Sequence, residues 1–183
     1  MKLTYETERL SIRVLSSRSA RPVLHFLKEH RDAFDAFEAE KPDSYYTLSY
    51  QKGILSKEYS AFRKKTFIRF FLFLKEEPNT IIGTVSFQSI TGYPFYSAII
   101  GYKLAPFYQH KGYATEALSM LIPHVCSSLC LHRLEAYIMP ENLSSIHLIE
   151  KLGFHYEGTA LRLVRIKGNW EDHLKYAKVF STN

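Results

Sequence analysis

The segment Gln109-His110-Lys111-Gly112-Tyr113-Ala114-Thr115 combines the residue types that capture an anion. Gly112 removes a side chain where an anionic group has to come close to the backbone. Ala114 keeps the neighbouring position small, while Gln109, His110 and Lys111 offer side-chain donors, Lys111 with a charge. Thr115 adds a hydroxyl one turn further on. Directly afterwards Ala114, Leu118, Leu121, Ile122, Val125 and Leu129 recur at helical spacing. The segment therefore opens a helix, where backbone N–H groups lack partners and the helix dipole is positive. A pyrophosphate is an anion that such a start accommodates. The spacing alone recurs by chance, so the surrounding elements have to carry the argument.

Those elements are marked by period and punctuation. Residues 9–15 alternate polar and apolar, as a strand does. Val23, Leu27, His30, Phe34 and Phe37 follow at helical spacing, and residues 38–46, which contain Lys-Pro-Asp-Ser, read as a loop. Thr47 caps a second helix reaching to about residue 65. Residues 67–74 and 80–90 are strands joined at Glu77-Pro78-Asn79, a hairpin pattern. A break at Thr91-Gly92-Tyr93-Pro94 precedes a strand over 95–104. Pro123 predicts a kink or an early end of the helix behind the anion segment. A strand over 132–139 leads through Pro140-Glu141-Asn142 to a short helix stopped by Gly153, and two last strands flank Lys167-Gly168-Asn169. The order β-α-α-β-β-β-α-β-α-β-β predicts an α/β (α+β) fold with a mixed sheet and helices on both faces. No repeat or linker divides the chain, so one domain over residues 1–183 is expected.

Composition narrows the function classes. The formal charge is +6, from 24 Lys+Arg against 18 Asp+Glu, which suits an anionic ligand. The basic residues are scattered; the densest run, Arg63-Lys64-Lys65, reads as a solvated helix end, and no nucleic-acid motif accompanies it. No apolar run approaches the roughly 20 residues that span a bilayer, and the first residues lack the apolar core of a signal peptide. A cytoplasmic protein is the expectation. His124, Cys126, Cys130 and His132 superficially resemble metal ligands. Cys126 and Cys130 fall in the helical apolar pattern four residues apart, whereas zinc motifs draw ligands from turns and separate elements. Packing, with no metal, is expected there.

Further motifs follow one another in a telling order. Thr7-Glu8-Arg9-Leu10-Ser11-Ile12-Arg13 opens the chain. Ile100-Gly101-Tyr102-Lys103-Leu104-Ala105-Pro106 runs into Tyr108-Gln109-His110-Lys111-Gly112-Tyr113-Ala114-Thr115-Glu116-Ala117-Leu118. Asn142-Leu143-Ser144-Ser145 precedes Glu150-Lys151-Leu152-Gly153-Phe154, and Glu157-Gly158 and Gly168-Asn169-Trp170-Glu171-Asp172 close the series. Together they resemble the GNAT N-acetyltransferases, in particular the RimJ/RimL-type branch, over nearly the whole chain. The resemblance implies a mostly antiparallel mixed sheet splayed at its centre. It implies acetyl-CoA as cosubstrate, its pyrophosphate on 109–115 and its pantetheine arm beside the strand holding Tyr102, Lys103 and Leu104. The backbone there would bond the arm and stabilise charge developing on the thioester oxygen. Asn142 and Ser145 match positions that touch the arm or the sulfur; Asn142 also suits a helix cap, and Ser145 a small first-turn residue.

The implied reaction is acetyl transfer to a primary amine, by direct attack with both substrates bound. A protein N-terminal amine is one acceptor; a polyamine, amino sugar or antibiotic amine is another. A catalytically silent acyl-CoA sensor is the third reading. An α-amino group, with a pKa of 7.7–8.0, is roughly 10% neutral at pH 7, against about 0.04% for a lysine amine. An N-terminal acetylase therefore manages with a weak base. Many relatives carry a Tyr on the helix after the Asn motif, where this chain has Ile149, which leaves Ser145 or water to protonate the thiolate. The ribosomal-protein branch carries a Glu before the last turn, where Val164 stands. Tyr137 is the candidate catalytic residue facing the acceptor, with a packed strand aromatic as the alternative. Glu38, Tyr45 and Tyr46, in or beside the first loop, are the candidate acceptor contacts, and Glu40 lies in the same loop. An edge strand or the aromatic C-terminal hairpin (Trp170, Tyr176, Phe180) offers a homodimer surface, and the same residues equally suit the core.

Overall fold

A computed structural model describes residues 1–180. Its strands are β1 (Thr4–Glu6), β2 (Leu10–Arg13), β3 (Ile68–Leu74), β4 (Ile81–Thr91), β5 (Ser97–Leu104), β6 (Arg133–Ile138), β7 (His155–Ile166) and β8 (Asn169–Val179). Its α-helices are α1 (Ala20–Glu29), α2 (Arg31–Phe34), α3 (Leu48–Lys64), α4 (Tyr113–Leu129) and α5 (Leu143–Lys151). The strands form one sheet in the order β1-β2-β3-β4-β5-β6-β8-β7. Every neighbouring pair is antiparallel except β5 and β6.

Alternation along the strands separates two cores. Phe70, Leu72, Phe87 and Ile100 meet Leu118, Leu121 and Val125 of α4 on one face. Phe71, Phe73 and Ile81 meet Val23 and Phe26 of α1 and Leu55 of α3 on the other. The strand β3 is thus covered on both sides, which is why its sequence runs apolar without alternation from Phe70 to Leu74. Thr47 accepts a hydrogen bond from the Tyr50 N–H and caps α3, as its sequence predicts.

Four local expectations change. Residues 4–6 add a strand the sequence reading lacked, paired with β2 through Tyr5↔Ile12. The first helical stretch breaks at His30, whose backbone leaves the helical region, and Phe37 falls beyond α2, exposed. Residues 43–46 form a short 3-10 turn inside the expected loop. Pro123 does not end α4, which continues to Leu129. The proline sits on the exposed side of the helix, where the ring removes one backbone donor without disturbing the packed face.

Beside the site, the decisive feature is the brevity of the β5–β6 ladder. It spans only Ser97↔Arg133, Ala98↔Leu134 and Ile99↔Glu135. Beyond Ile99, β5 continues on β4 as far as Leu104 while β6 continues on β8 as far as Ile138. The sheet splays there, in the middle, and α4 spans the gap at one end. Leu118 is fully buried where α4 meets the sheet. Leu118→Ala is expected to cost about 2–5 kcal/mol of stability, read as a lowered midpoint in urea unfolding with an unchanged slope.

Candidate active site

A cavity of about 440 Å³ opens at the splay. That is a size suited to a small-molecule ligand. Its wall is built from β5, the start of α4, the end of β6, α5 along its length, His173 of β8, and α2 with the loop after it.

The β5 wall carries free backbone groups. Ala105 N–H donates to Ile82 O at 2.9 Å, which makes Ile82 and Ala105 a hydrogen-bonded pair. In an antiparallel ladder such pairs alternate. With Gly83↔Leu104 and Thr84↔Lys103 in register, Lys103 bonds β4, whereas Tyr102 and Leu104 turn their N–H and C=O toward the slot. The strand over Tyr102–Leu104 thus borders the cavity with an edge free of strand partners, but the main chain of Lys103 faces away. Its side chain has another position: it crosses to Glu38, with Nζ donating to Oε1 at 2.6 Å and lying 4.4 Å from the centre of the Phe34 ring. Burial lowers the Lys103 ammonium pKa, and the Glu38 carboxylate opposes that shift.

At the other end of the slot lies the anion segment. Gly112 takes φ +83°, a left-handed conformation that favours glycine, and forms the N-cap of α4 with no side-chain cap bond. The N–H groups of Tyr113, Ala114 and Thr115 are thereby the first donors of the helix and lack helical acceptors. His110, also left-handed at φ +60°, lines the cavity beside them. Two expected donors are differently engaged. Gln109 Nε2 donates to Leu104 O at 3.1 Å and ties the segment to β5. Lys111 turns its ammonium over the Phe107 ring, 3.8 Å from its centre, and is not part of the cavity wall.

A brace behind the segment has no local sequence signal. Glu116, in the first turn of α4, accepts from the Thr7 hydroxyl at 2.6 Å, the Arg9 N–H at 2.9 Å and Arg9 Nε at 2.7 Å. Arg9 Nη1 also donates to Lys111 O at 3.0 Å, and its guanidinium lies over the Tyr113 ring. Burial pushes the Glu116 carboxyl up, but the Thr7 and Arg9 donors outweigh it and hold it below the usual carboxylate range. The partners lie more than a hundred residues apart, so only the fold reveals them.

Asn142 and Ser145 meet both of the readings open to them. Asn142 caps α5, accepting at Oδ1 from the Ser145 N–H at 3.2 Å and from the Ser144 hydroxyl at 3.1 Å, and it also lines the cavity. Ser145 lines it from the first turn, and its carbonyl accepts from the Tyr102 hydroxyl at 3.0 Å. Burial pushes that phenol up to about 12, so it stays a donor. Ile149 is fully buried in the core.

Of the residues expected at the acceptor, Glu38 and Tyr137 line the cavity. Tyr45 and Tyr46 do not. Both are about 9% exposed in the α1–α3 core, because the 3-10 turn folds their rings inward; Tyr46 donates to Asp35 and stacks on Arg31. Sequence reasoning missed Glu135, which accepts from the Tyr137 hydroxyl at 2.9 Å. Its only signal was its place two residues before Tyr137 on one strand face. The two cysteines also part company: Cys126 is buried, while Cys130 is exposed in a left-handed helix end.

A splayed sheet with free strand edges at its centre, a bare helix start and a cap-bearing second helix define an acyltransferase-type site. The model of the GNAT acetyltransferase domain matches residues 9–155, and the chain belongs to that family. It is therefore an N-acetyltransferase by homology. It is 38% identical over 163 residues to the probable N-acetyltransferase YjcK of Bacillus subtilis, covering 88% of this chain and 89% of that one. Its structure superposes with a TM-score of 0.92 on ribosomal-protein-S5-alanine acetyltransferase from Vibrio fischeri, at 29% identity and 97% coverage of both chains. RimJ of Mycobacterium smegmatis, solved in complex with CoA-disulfide, follows with a TM-score of 0.85 at 26% identity, covering 93% of this chain and 81% of that one.

The depressed Glu116 carboxyl contributes stability that is present above the ordinary carboxylate pKa and lost as pH falls through its folded value. Glu116→Gln is therefore expected to lower stability at pH 7. The gap to the parent should close as the pH falls below about 4, measured by urea unfolding across that range.

Proposed function

We propose that the protein transfers the acetyl group of acetyl-CoA to the α-amino group of a peptide or protein N-terminus, by direct attack with both substrates bound. The observation that carries the choice of acceptor is the charge of the cavity wall. Glu38 is its single carboxylate among the described residues, and Lys103 neutralises it at 2.6 Å. The remaining ionisable wall includes Lys103, Lys151, His110, His147 and His173. A polyamine carries several positive charges and calls for several unpaired carboxylates. An N-terminal amine brings one charge and is roughly 10% neutral at pH 7. The S5-alanine acetyltransferase likeness supports the same class. The reading takes the protein as cytoplasmic.

The residues present fit acetyl-CoA. The uncapped α4 start offers backbone donors for a pyrophosphate, and the exposed edge at Tyr102 and Leu104 offers a strand-like partner for an amide-bearing arm. Bound acetyl-CoA would supply the activated thioester. The β5 N–H groups are fixed donors for charge on its oxygen. Asn142 and the Tyr102–Ser145 bond hold α5 against the slot, which keeps the Ser145 side chain beside it for a proton to the departing sulfur.

A panel of peptide N-termini, free lysine and polyamines, read by mass spectrometry with acetyl-CoA, tests the acceptor. Acetyl should appear on peptide α-amines first. Preferential polyamine turnover overturns the reading, and cofactor binding without any turnover favours a sensor. Gly112→Ala forces a left-handed alanine, at a cost of about 1–2 kcal/mol, and brings a Cβ to 3.3 Å from Arg9 Nη2. Acetyl-CoA affinity by calorimetry should fall about tenfold.

A further inference from the structure

A half-buried charge cluster adjoins Tyr137 where β5 and β6 part. Ile99↔Glu135 is the last pair of the β5–β6 ladder. One step beyond it on the same strand face, Tyr137 reaches the cavity, and Gly101 occupies the equivalent step on β5. Gly101 and Tyr137 both line the cavity, and a side chain at Gly101 would meet Ser86 Oγ at 3.1 Å. The Tyr137 hydroxyl donates to Glu135 Oε2 at 2.9 Å. Glu135 Oε1 accepts from Arg133 Nε at 2.6 Å and lies 3.3 Å from Lys175 Nζ. Arg133 in turn forms a two-bond pair with Glu157, which also faces Lys175 at 3.8 Å.

Each bond in this chain has a direction. Arginine and lysine only donate, so Glu135 is held as an acceptor. Although burial pushes its carboxyl up, Arg133, Tyr137 and Lys175 together bring it below the usual range. The Tyr137 phenol, raised by burial and by Glu135, keeps its proton. That proton points at Glu135. A hydroxyl whose proton is committed presents only its lone pairs to an approaching donor, and Tyr137 is part of the cavity wall. A phenol that donates to a carboxylate is also a stronger acceptor, because bonds in series polarise one another.

We propose that Tyr137 is a catalytic residue that accepts an N–H bond from the acceptor amine, and that Glu135 is a positioning residue acting through it. Fixing one N–H of a neutral amine on the phenol oxygen turns the nitrogen lone pair to a defined direction across the slot. As the nitrogen attacks the thioester carbon, the C–S bond breaks and the thiolate leaves. Positive charge grows on nitrogen, the polarised phenol oxygen stabilises it, and the surplus N–H proton passes through water to the departing sulfur, which leaves amide and thiol. Glu135 does not serve as the base: it is engaged by three donors and sits behind the ring. Arg133 and Lys175 keep it ionised. The inference rests on acetyl transfer to an amine and is independent of which amine is preferred.

The test is a double-mutant cycle on Tyr137→Phe and Glu135→Gln, assayed with whichever acceptor the panel selects, with acetyl-CoA affinity measured separately by calorimetry. Each single variant should lower kcat about tenfold, with the KM for acetyl-CoA and the cofactor affinity near the parent's. The double variant should fall no further than the singles. Tyr137→Phe removes one hydroxyl and leaves Glu135 on Arg133 and Lys175, so it reads the proposal even if Glu135→Gln fails to fold. A kcat within twofold of the parent for Tyr137→Phe overturns the proposal. So does a double variant slower by the product of the two effects, or a loss confined to KM. Loss of acetyl-CoA binding in the parent would instead strike the cofactor reading.

Discussion

Backbone hydrogen bonds in a sheet are obligatory, and a strand edge left open inside the molecule calls for a partner. Here the open edge lies at the centre of the sheet, because β5 and β6 pair over three residues and then follow different neighbours. Most of the site depends on that parting. It leaves the main chain of Tyr102 and the N–H of Leu104 without a strand partner, with Leu104 O taken by Gln109, and lets β5, α4, β6 and α5 line one cavity. A continuous ladder would have satisfied the backbone and closed the space.

The slot is held open by bonds made from outside it. Gln109 caps the end of β5, Tyr102 fastens β5 to the first turn of α5, and Asn142 caps the start of that turn. Behind the helix start, Glu116 collects three donors from Thr7 and Arg9 and fixes the N-terminal strand region to α4. Gly112 serves two demands at once: its left-handed backbone turns the chain into α4, and its missing side chain leaves room for the Arg9 guanidinium. The helix start can therefore remain uncapped by any side chain, with its first N–H groups left for an anion.

Charge in and beside the cavity is paired. Glu38 is matched by Lys103, and Glu135 by Arg133 and Lys175. Lys103 joins β5 to the loop after α2, Arg133 meets Glu135 along β6, and Lys175 links β6 to β8. Among the described residues Glu38 is the one carboxylate of the cavity wall.

Much of this was legible in the chain. The period of α4 and the glycine before it located the helix start, Thr47 marked α3, and the motif order gave the mixed sheet and its splay. Local signals suffice for such features because capping, turn geometry and amphipathic period act over a few residues. Phe37, Tyr45 and Tyr46 show the limit: helical spacing placed Phe37 in the first helix, but the chain breaks at His30 and leaves it exposed beyond α2, and loop context suggested an entrance at the two tyrosines, which a 3-10 turn packs into the core. The helix after Gly112 was determined by sequence alone. Which side chains meet behind it was decided only by tertiary structure: Arg9 with Glu116, Lys103 with Glu38, and Tyr137 with a Glu135 fixed by β8. Apart from the Tyr137–Glu135 bond along one strand, these contacts join residues tens to more than a hundred positions apart, and strand order and register, which no short window encodes, bring them within hydrogen-bonding distance.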